Sequence, residues 1–289
     1  MKPLTLMAIL SFLLTVLPAV AQADYDTYYI SASTGSDETG NGTMALPWAS
    51  ITYTLTEIAP TEIRPATLYL AAGSYSSFDS FPEHIDLSGG YNPENWEQDY
   101  TQFPSYVAHL ATAASGTFSH VGFSGNLSGL DIMGGAFVYV EDCEFYNNRA
   151  AEPDLGSGVR MFGDCSGSFA RCLFRQNDAG FNMQWGTRGS GGAVQHKSSG
   201  TAEFVECSFT RNNGMYGGAI YAVGSGFLIC RDCVFWRNGC SEEGSGTSIY
   251  STLQGGTTLI NCLFDEYPGG GGMDNLGSGE RVTECSIVR

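Results

Sequence analysis

A short motif that returns at nearly regular intervals constrains this chain most. Cys-x-Phe-x-x-Asn occurs at Cys143-Phe145-Asn148, Cys172-Phe174-Asn177, Cys207-Phe209-Asn212 and Cys233-Phe235-Asn238. A fifth copy, Cys262-Leu263-Phe264, lacks the Asn, and Cys285-Ser286-Ile287 is weaker still. The cysteines are 29, 35, 26, 29 and 23 residues apart. Such self-similarity marks a repeat architecture. A second element, Gly-Gly-Ala-apolar, occurs at Gly134-Gly135-Ala136-Phe137, Gly191-Gly192-Ala193-Val194 and Gly217-Gly218-Ala219-Ile220. Ser157-Gly158-Val159 and Gly246-Thr247-Ser248-Ile249 read as degenerate copies. A third element is a Gly-led run into the Cys, as from Gly200 to Glu206 and from Gly256 to Asn261.

Each period therefore contains two or three short strands set apart by Gly, Asn and Ser, and no helical periodicity is evident from Gly134 onward. In Cys-x-Phe the period is two, which turns both side chains to one face and the middle residue to the other. Cys and Phe suit an interior. Middle residues such as Glu144 and Ser208 suit water, as do the residues before each Cys: Asp142, Arg171, Glu206, Asp232, Asn261 and Glu284. One unit cannot bury its apolar face alone. Stacking copies ~4.8 Å apart buries a continuous column, the coil of a parallel β-helix. The expected structural ladder comprises Cys143, Cys172, Cys207, Cys233 and Cys262, with Phe145, Phe174, Phe209 and Phe235. Asn148, Asn177, Asn212 and Asn238 complete it, because Asn tolerates a left-handed backbone and stacked amides bond one another.

The Gly-Gly-Ala-[Ile/Val/Phe] and Phe-x-x-Asn motifs over 134–289 resemble those of the chlamydial polymorphic outer-membrane proteins. That resemblance implies a right-handed β-helix exported to a cell surface, with a role in adhesion. The β-barrel translocator of that family does not follow here, so the likeness bears on the coil more than on the outer membrane. The N-terminal region is similar to pectate-lyase-like right-handed β-helix proteins, through Tyr28-Tyr29-Ile30-Ser31, Gly35-Ser36-Asp37, Gly42-Thr43, Pro47-Trp48-Ala49-Ser50-Ile51, Ala72-Gly73-Ser74-Tyr75 and Leu87-Ser88-Gly89-Gly90-Tyr91-Asn92 with Trp96. Independently, Ile51, Leu55 and Ile58 share one face of a short helix that could cover the first rung and its open strand edge. The expected fold is all-β: a single-stranded right-handed parallel β-helix with a short N-terminal capping helix. Its parts are a signal peptide at 1–23, a cap and first strand at 24–65, early irregular coils at 66–133 and regular repeats at 134–289.

The signal peptide rests on Met1-Lys2, the apolar run from Leu4 to Leu17 and the cleavage pattern Ala21-Gln22-Ala23. It is too short to span a bilayer, and no other transmembrane span is expected. The expected location is extracellular, at a cell surface or in a periplasm. With Lys2 removed, a formal charge of −17 becomes −18. That excludes nucleic acid as a partner, because such a binder needs a basic footprint. Gly is 38 of 289 residues, but no Gly-X-Y period exists, so collagen is excluded.

Of the nine cysteines, the stacked ones read as buried free thiols, since parallel side chains do not point at each other. Cys165, Cys230 and Cys240 lie off that stack and are the better candidates for bridges. The Cys230-x-x-Cys233 spacing reads as one core and one turn Cys, lacking the context of a redox or zinc motif. Lys197 is the only lysine after signal removal, in Gln195-His196-Lys197 beside an irregular insertion that holds Trp185 and Arg188. A polysaccharide lyase needs a base and a cation, often Ca²⁺, at a uronate. Lys197, Arg188 and His196 could supply such catalysis, with Trp185 and Gln195 binding ligand; a solvated turn lysine is the bland alternative. Asp37, Glu38 and Asn41 set oxygen ligands densely enough for Ca²⁺, against a plain hydrogen-bonded turn. Asn41-Gly42-Thr43 and Asn126-Leu127-Ser128 match the glycosylation pattern.

Two functions follow. The first is a secreted or surface-associated non-catalytic β-helix that binds a carbohydrate or a surface protein, as in adhesion. The alternative is a polysaccharide lyase acting by β-elimination on an acidic polymer, which an acidic surface would repel unless Ca²⁺ bridges. The fading motif at Gly269 to Gly272 and Cys285 adds an expectation of end-to-end self-association through an uncapped last rung.

Overall fold

The computed structural model describes residues 25–125, 127–149, 157–179, 181–182, 187–240, 248–265, 273–274 and 281–288. The expected signal peptide and the stretch Gly269 to Gly272 lie outside the described residues. The chain winds through three parallel sheets. Among the described residues, sheet I has ten strands, sheet II nine and sheet III eight. Each turn passes III, I, II and then returns to III one coil further on. Thus Val159–Gly163, Ser166–Ala170 and Leu173–Arg175 are followed by Val194–Ser198, Thr201–Val205 and Ser208–Thr210. This is the right-handed parallel β-helix that the repeat demands. Sheet I runs without a break from Asp26–Ile30 to Arg281–Thr283.

The register explains the motif. Phe145, Phe174, Phe209, Phe235 and Phe264 are direct partners in sheet II. Their rings stack with centroids 4.7 Å apart and planes within 8° of parallel. That is the strand spacing itself, so one Phe per coil fills a column without gaps. Phe169 and Phe204 form a second stack from sheet I at 4.8 Å. All of these rings are buried.

Two corners of the coil are single residues with positive φ. Between sheets I and II stand Asp142, Arg171, Glu206, Asp232, Asn261 and Glu284, with φ from 50° to 56°. A left-handed residue turns the chain at once and frees nearby carbonyls. The next residue, a Cys that is buried in every copy but Cys285, donates its thiol to them. Cys207 Sγ lies 3.4 Å from both Phe169 O and Val205 O, and Cys172, Cys233 and Cys262 repeat the pattern. Between sheets II and III stand Asn147, Gln176, Arg211 and Arg237, again with positive φ. The ladder Asn therefore follows the left-handed position and does not occupy it, contrary to the expectation. Its work is inside: Asn177 Nδ2 donates to Phe145 O and to Asn212 Oδ1, both at 2.9 Å. Asn148, Asn212 and Asn238 extend this amide chain, and all four are buried.

Three further expectations are corrected. Gly134-Gly135-Ala136-Phe137 is not equivalent to the other Gly-Gly-Ala copies: it enters sheet I at Phe137–Glu141, whereas Val194 and Ile220 open strands of sheet III. Gly191 and Gly217, at φ 73° and 55°, turn where a Cβ would lie about 2 Å from the carbonyl oxygens of Val194 and Ile220, so only Gly fits. Glu144 is not a solvent residue: it is 8% exposed and paired with Arg175. Cys165 and Cys230 are unbridged core thiols. Cys230 stacks between Phe204 and Leu259 in sheet I, and Cys165 Sγ donates to Ile132 O at 3.2 Å.

All changes of motif interval up to Cys262 arise at one corner. The step from strand III to strand I is the same in Val159 to Ser166, Val194 to Thr201 and Ile220 to Phe227, and each Cys precedes its Asn by the same distance. The step back to sheet III varies: Asn148 to Val159, Asn177 to Val194, Asn212 to Ile220 and Asn238 to Ile249. The core cross-section is therefore fixed, and the loops after the Asn are free to differ.

At the other end the helix Ile51–Glu57 forms as the apolar spacing requires, with Ile51 buried and Leu55 and Ile58 packed on the core. Ser50 caps it, its hydroxyl accepting from Tyr53 N–H at 3.1 Å.

Candidate ligand-binding site

The strand Val194–Ser198 alternates, so Val194, His196 and Ser198 face the core while Gln195 and Lys197 face out. The structure thus separates the predicted group. His196 is fully buried, with Nε2 3.2 Å from Phe227 O and Nδ1 unpartnered. Loss of water pushes its pKa down to about 4. A ring held inside the coil cannot reach a polymer outside it, which withdraws His196 from any catalytic group. Gln195 faces out but is covered, its Nε2 donating to Ser190 O of the long insertion at 3.3 Å. Arg188 lies in that insertion, in a two-stranded antiparallel pair with Phe181–Asn182; its side chain and Trp185 lie outside the described residues.

Lys197 stays half-exposed at the outer face of sheet III, and the register builds a site next to it. Asp131, Arg160, Gln195, Tyr221 and Tyr250 are successive partners along that sheet. Arg160 grips Asp131 through Nε at 2.7 Å and through a second contact from its other nitrogen, a forked pair that anchors the row. Tyr221 and Tyr250 stack with centroids 5.4 Å apart at 17°. Tyr216, from the short loop after Asn212, packs 5.3 Å from Tyr250 and 6.4 Å from Tyr221. Lys197 Nζ stands 5.9 Å from the Tyr221 centroid. Three half-buried phenol rings and one ammonium thus share one outer face of sheet III.

Such a face can stack against the apolar side of a sugar ring while hydroxyls and the ammonium bond its polar edge. The tyrosines were missed from the sequence although a signal existed: Ile220-Tyr221 and Ile249-Tyr250 recur at one position of the repeat. A groove of about 600 Å³ on sheet I runs past Phe227, Ile229, Arg231 and Arg281. Its central cation, Arg231, faces Glu203 at 3.5 Å.

Two of the three proposed Ca²⁺ ligands are engaged otherwise, and Glu38 is exposed. Asp37 Oδ1 accepts from Ala49 N–H at 2.8 Å and Ser50 N–H at 3.1 Å, and Oδ2 accepts from the Ser50 hydroxyl at 2.7 Å. Asn41 Oδ1 accepts from the Thr43 N–H and hydroxyl. These are the bonds of a folded turn. Among the described residues, no group of three or more His, Cys, Asp or Glu is placed to hold a metal. No helix among them is long and apolar enough to cross a membrane.

Against known proteins, residues 102–287 match the family described as right handed beta helix region. Two solved structures of the Aspergillus niger pectin methylesterase share the fold. One aligns at 12% identity and a TM-score of 0.53, covering 93% of this chain and 87% of that one. The other aligns at 11% identity and 0.51, covering 92% and 88%. A rhamnogalacturonan lyase aligns at 13% identity with a TM-score of 0.31. A search of curated proteins finds no match.

Proposed function

Because this chain belongs to the right-handed β-helix family, we propose that it is a secreted, non-catalytic member of it that binds carbohydrate at the Tyr216, Tyr221 and Tyr250 face beside Lys197. The observation that carries this reading is the Tyr221–Tyr250 stack, an aromatic pair set by register on an outer sheet face. Adhesion to a glycan-bearing surface is the role such a face supports. The burial of His196 takes one member from the group expected for the lyase alternative, and Lys197 stands over a tyrosine ring in its place.

The test is glycan binding by the secreted chain, on a panel that includes pectin, alginate and neutral polysaccharides. Binding is expected, and Tyr221→Ala or Tyr250→Ala should weaken it about tenfold each. Retained affinity in both variants overturns the site. Ultraviolet absorbance of an unsaturated product, lost in Lys197→Ala, would restore the lyase reading; a flat trace is expected.

A further inference from the structure

Arg211 and Arg237 differ from five other arginines of this chain, in which acidic side chains outnumber basic ones by 30 to 13. Arg64 pairs with Asp26, Arg160 with Asp131, Arg171 with Glu141 and Asp142, Arg175 with Glu144, and Arg231 with Glu203. Among the described residues no carboxylate forms an ion pair with Arg211 or Arg237, and both side chains are exposed. Both guanidiniums instead lie over Trp236, their central carbons 5.1 and 4.6 Å from its ring centroid. Each is within one Debye length, ~8 Å at physiological salt, of that ring, so their positive potentials add.

The backbone holds them together. They stand one coil apart at the left-handed corner between sheets II and III, with Arg211 N–H donating to Trp236 O at 3.0 Å. Asn147 and Gln176 fill the same corner in earlier coils. Arg has no local side-chain bond of the kind that eases Asn into this backbone, so the turn itself does not ask for arginine. One coil before Arg211, Arg175 is spent on Glu144 and on the Tyr146 ring at 3.9 Å.

We propose that Arg211, Arg237 and the edge of Trp236 bind the sulfate esters of a sulfated glycan. Two guanidinium forks match tetrahedral oxyanions, and the indole edge offers an apolar contact to the sugar between them. The net charge of −17 opposes heparin and DNA alike away from this corner; a nucleic acid duplex fits less well because each of its phosphodiesters presents two free oxygens where a sulfate ester presents three. The proposal rests on the carbohydrate reading for its ligand class but uses none of the tyrosine residues.

The experiment measures binding of the secreted chain to a heparin oligosaccharide, its desulfated form and a DNA duplex, over a salt series. Heparin is expected to bind, with desulfated heparin and DNA at least about tenfold weaker. The double variant Arg211→Gln with Arg237→Gln should lose about tenfold and show a shallower salt slope, and Gln176→Arg, adding a third guanidinium to the same edge, should gain affinity. Arg64→Gln, at an exposed cation already paired with Asp26, should leave heparin binding unchanged. No heparin binding, equal binding of desulfated heparin or DNA, an unaffected double variant, or no gain from Gln176→Arg overturns the proposal. Heparin binding without binding to any glycan of the tyrosine panel overturns the tyrosine site alone.

Discussion

His196 is the side chain whose protonation folding alters most plainly. Its pKa falls from the ordinary 6.5 to about 4 because the ring is stripped of water, a loss that the Phe227 carbonyl only partly offsets. The fold therefore favours the neutral ring. That stabilisation is fully present above pH 6.5 and is lost as pH falls through 6.5 toward 4, about 3 kcal/mol in all. Urea unfolding at pH 7.5 and pH 4.5 should show it, and His196→Leu should lose markedly less stability than the wild type between the two. Equal losses would show that carboxylates alone set the acid sensitivity. At this scale the sequence was legible where period two decides: Cys-x-Phe points both side chains inward. It was not legible for Glu144, whose middle position faces out but is covered through its bond to Arg175 and by neighbouring tyrosines. Nor was it legible for His196, where an inward position and a polar side chain pointed to opposite readings.

Among the elements, the capping helix was readable because Ile51, Leu55 and Ile58 recur with its period. Its support was not, since the bonds from Asp37 span twelve and thirteen residues. Asp37 is a buttress for the Ser50 cap in this structure, so Asp37→Asn and Ser50→Ala should each cost about 1 kcal/mol, read as a lowered melting temperature. A chelator should leave the wild-type melting temperature unchanged; a drop would restore the Ca²⁺ reading. The Gly-Gly-Ala copies mislead for a related reason. A left-handed Gly serves the turn into sheet I at Gly134 as well as the turn into sheet III at Gly191 and Gly217, so one tetrapeptide marks two corners.

For the whole molecule, the buried thiols give a direct readout of cooperativity. Cys143, Cys165, Cys172, Cys207, Cys230, Cys233 and Cys262 are all buried, and burial raises the pKa of Cys207, Cys230 and Cys143, the last to about 12. Alkylation of the native protein should spare these seven, and unfolding should expose them. Rapid labelling of Cys262 ahead of Cys172 would reveal stepwise fraying from one end, as nearest-neighbour stacking allows. The fold was legible as a whole because a repeat multiplies a weak local signal. The tyrosine face was not, because its members come from different coils and one, Tyr216, comes from a loop of variable length. That variable corner makes the column a ruler. Its graduations are the ~4.8 Å strand spacing, and each loop is fixed to one mark whatever its length or content. A foreign segment spliced after Asn212 or Asn238 would change what is displayed without moving the mark, and two such grafts would stand at a separation chosen by counting coils.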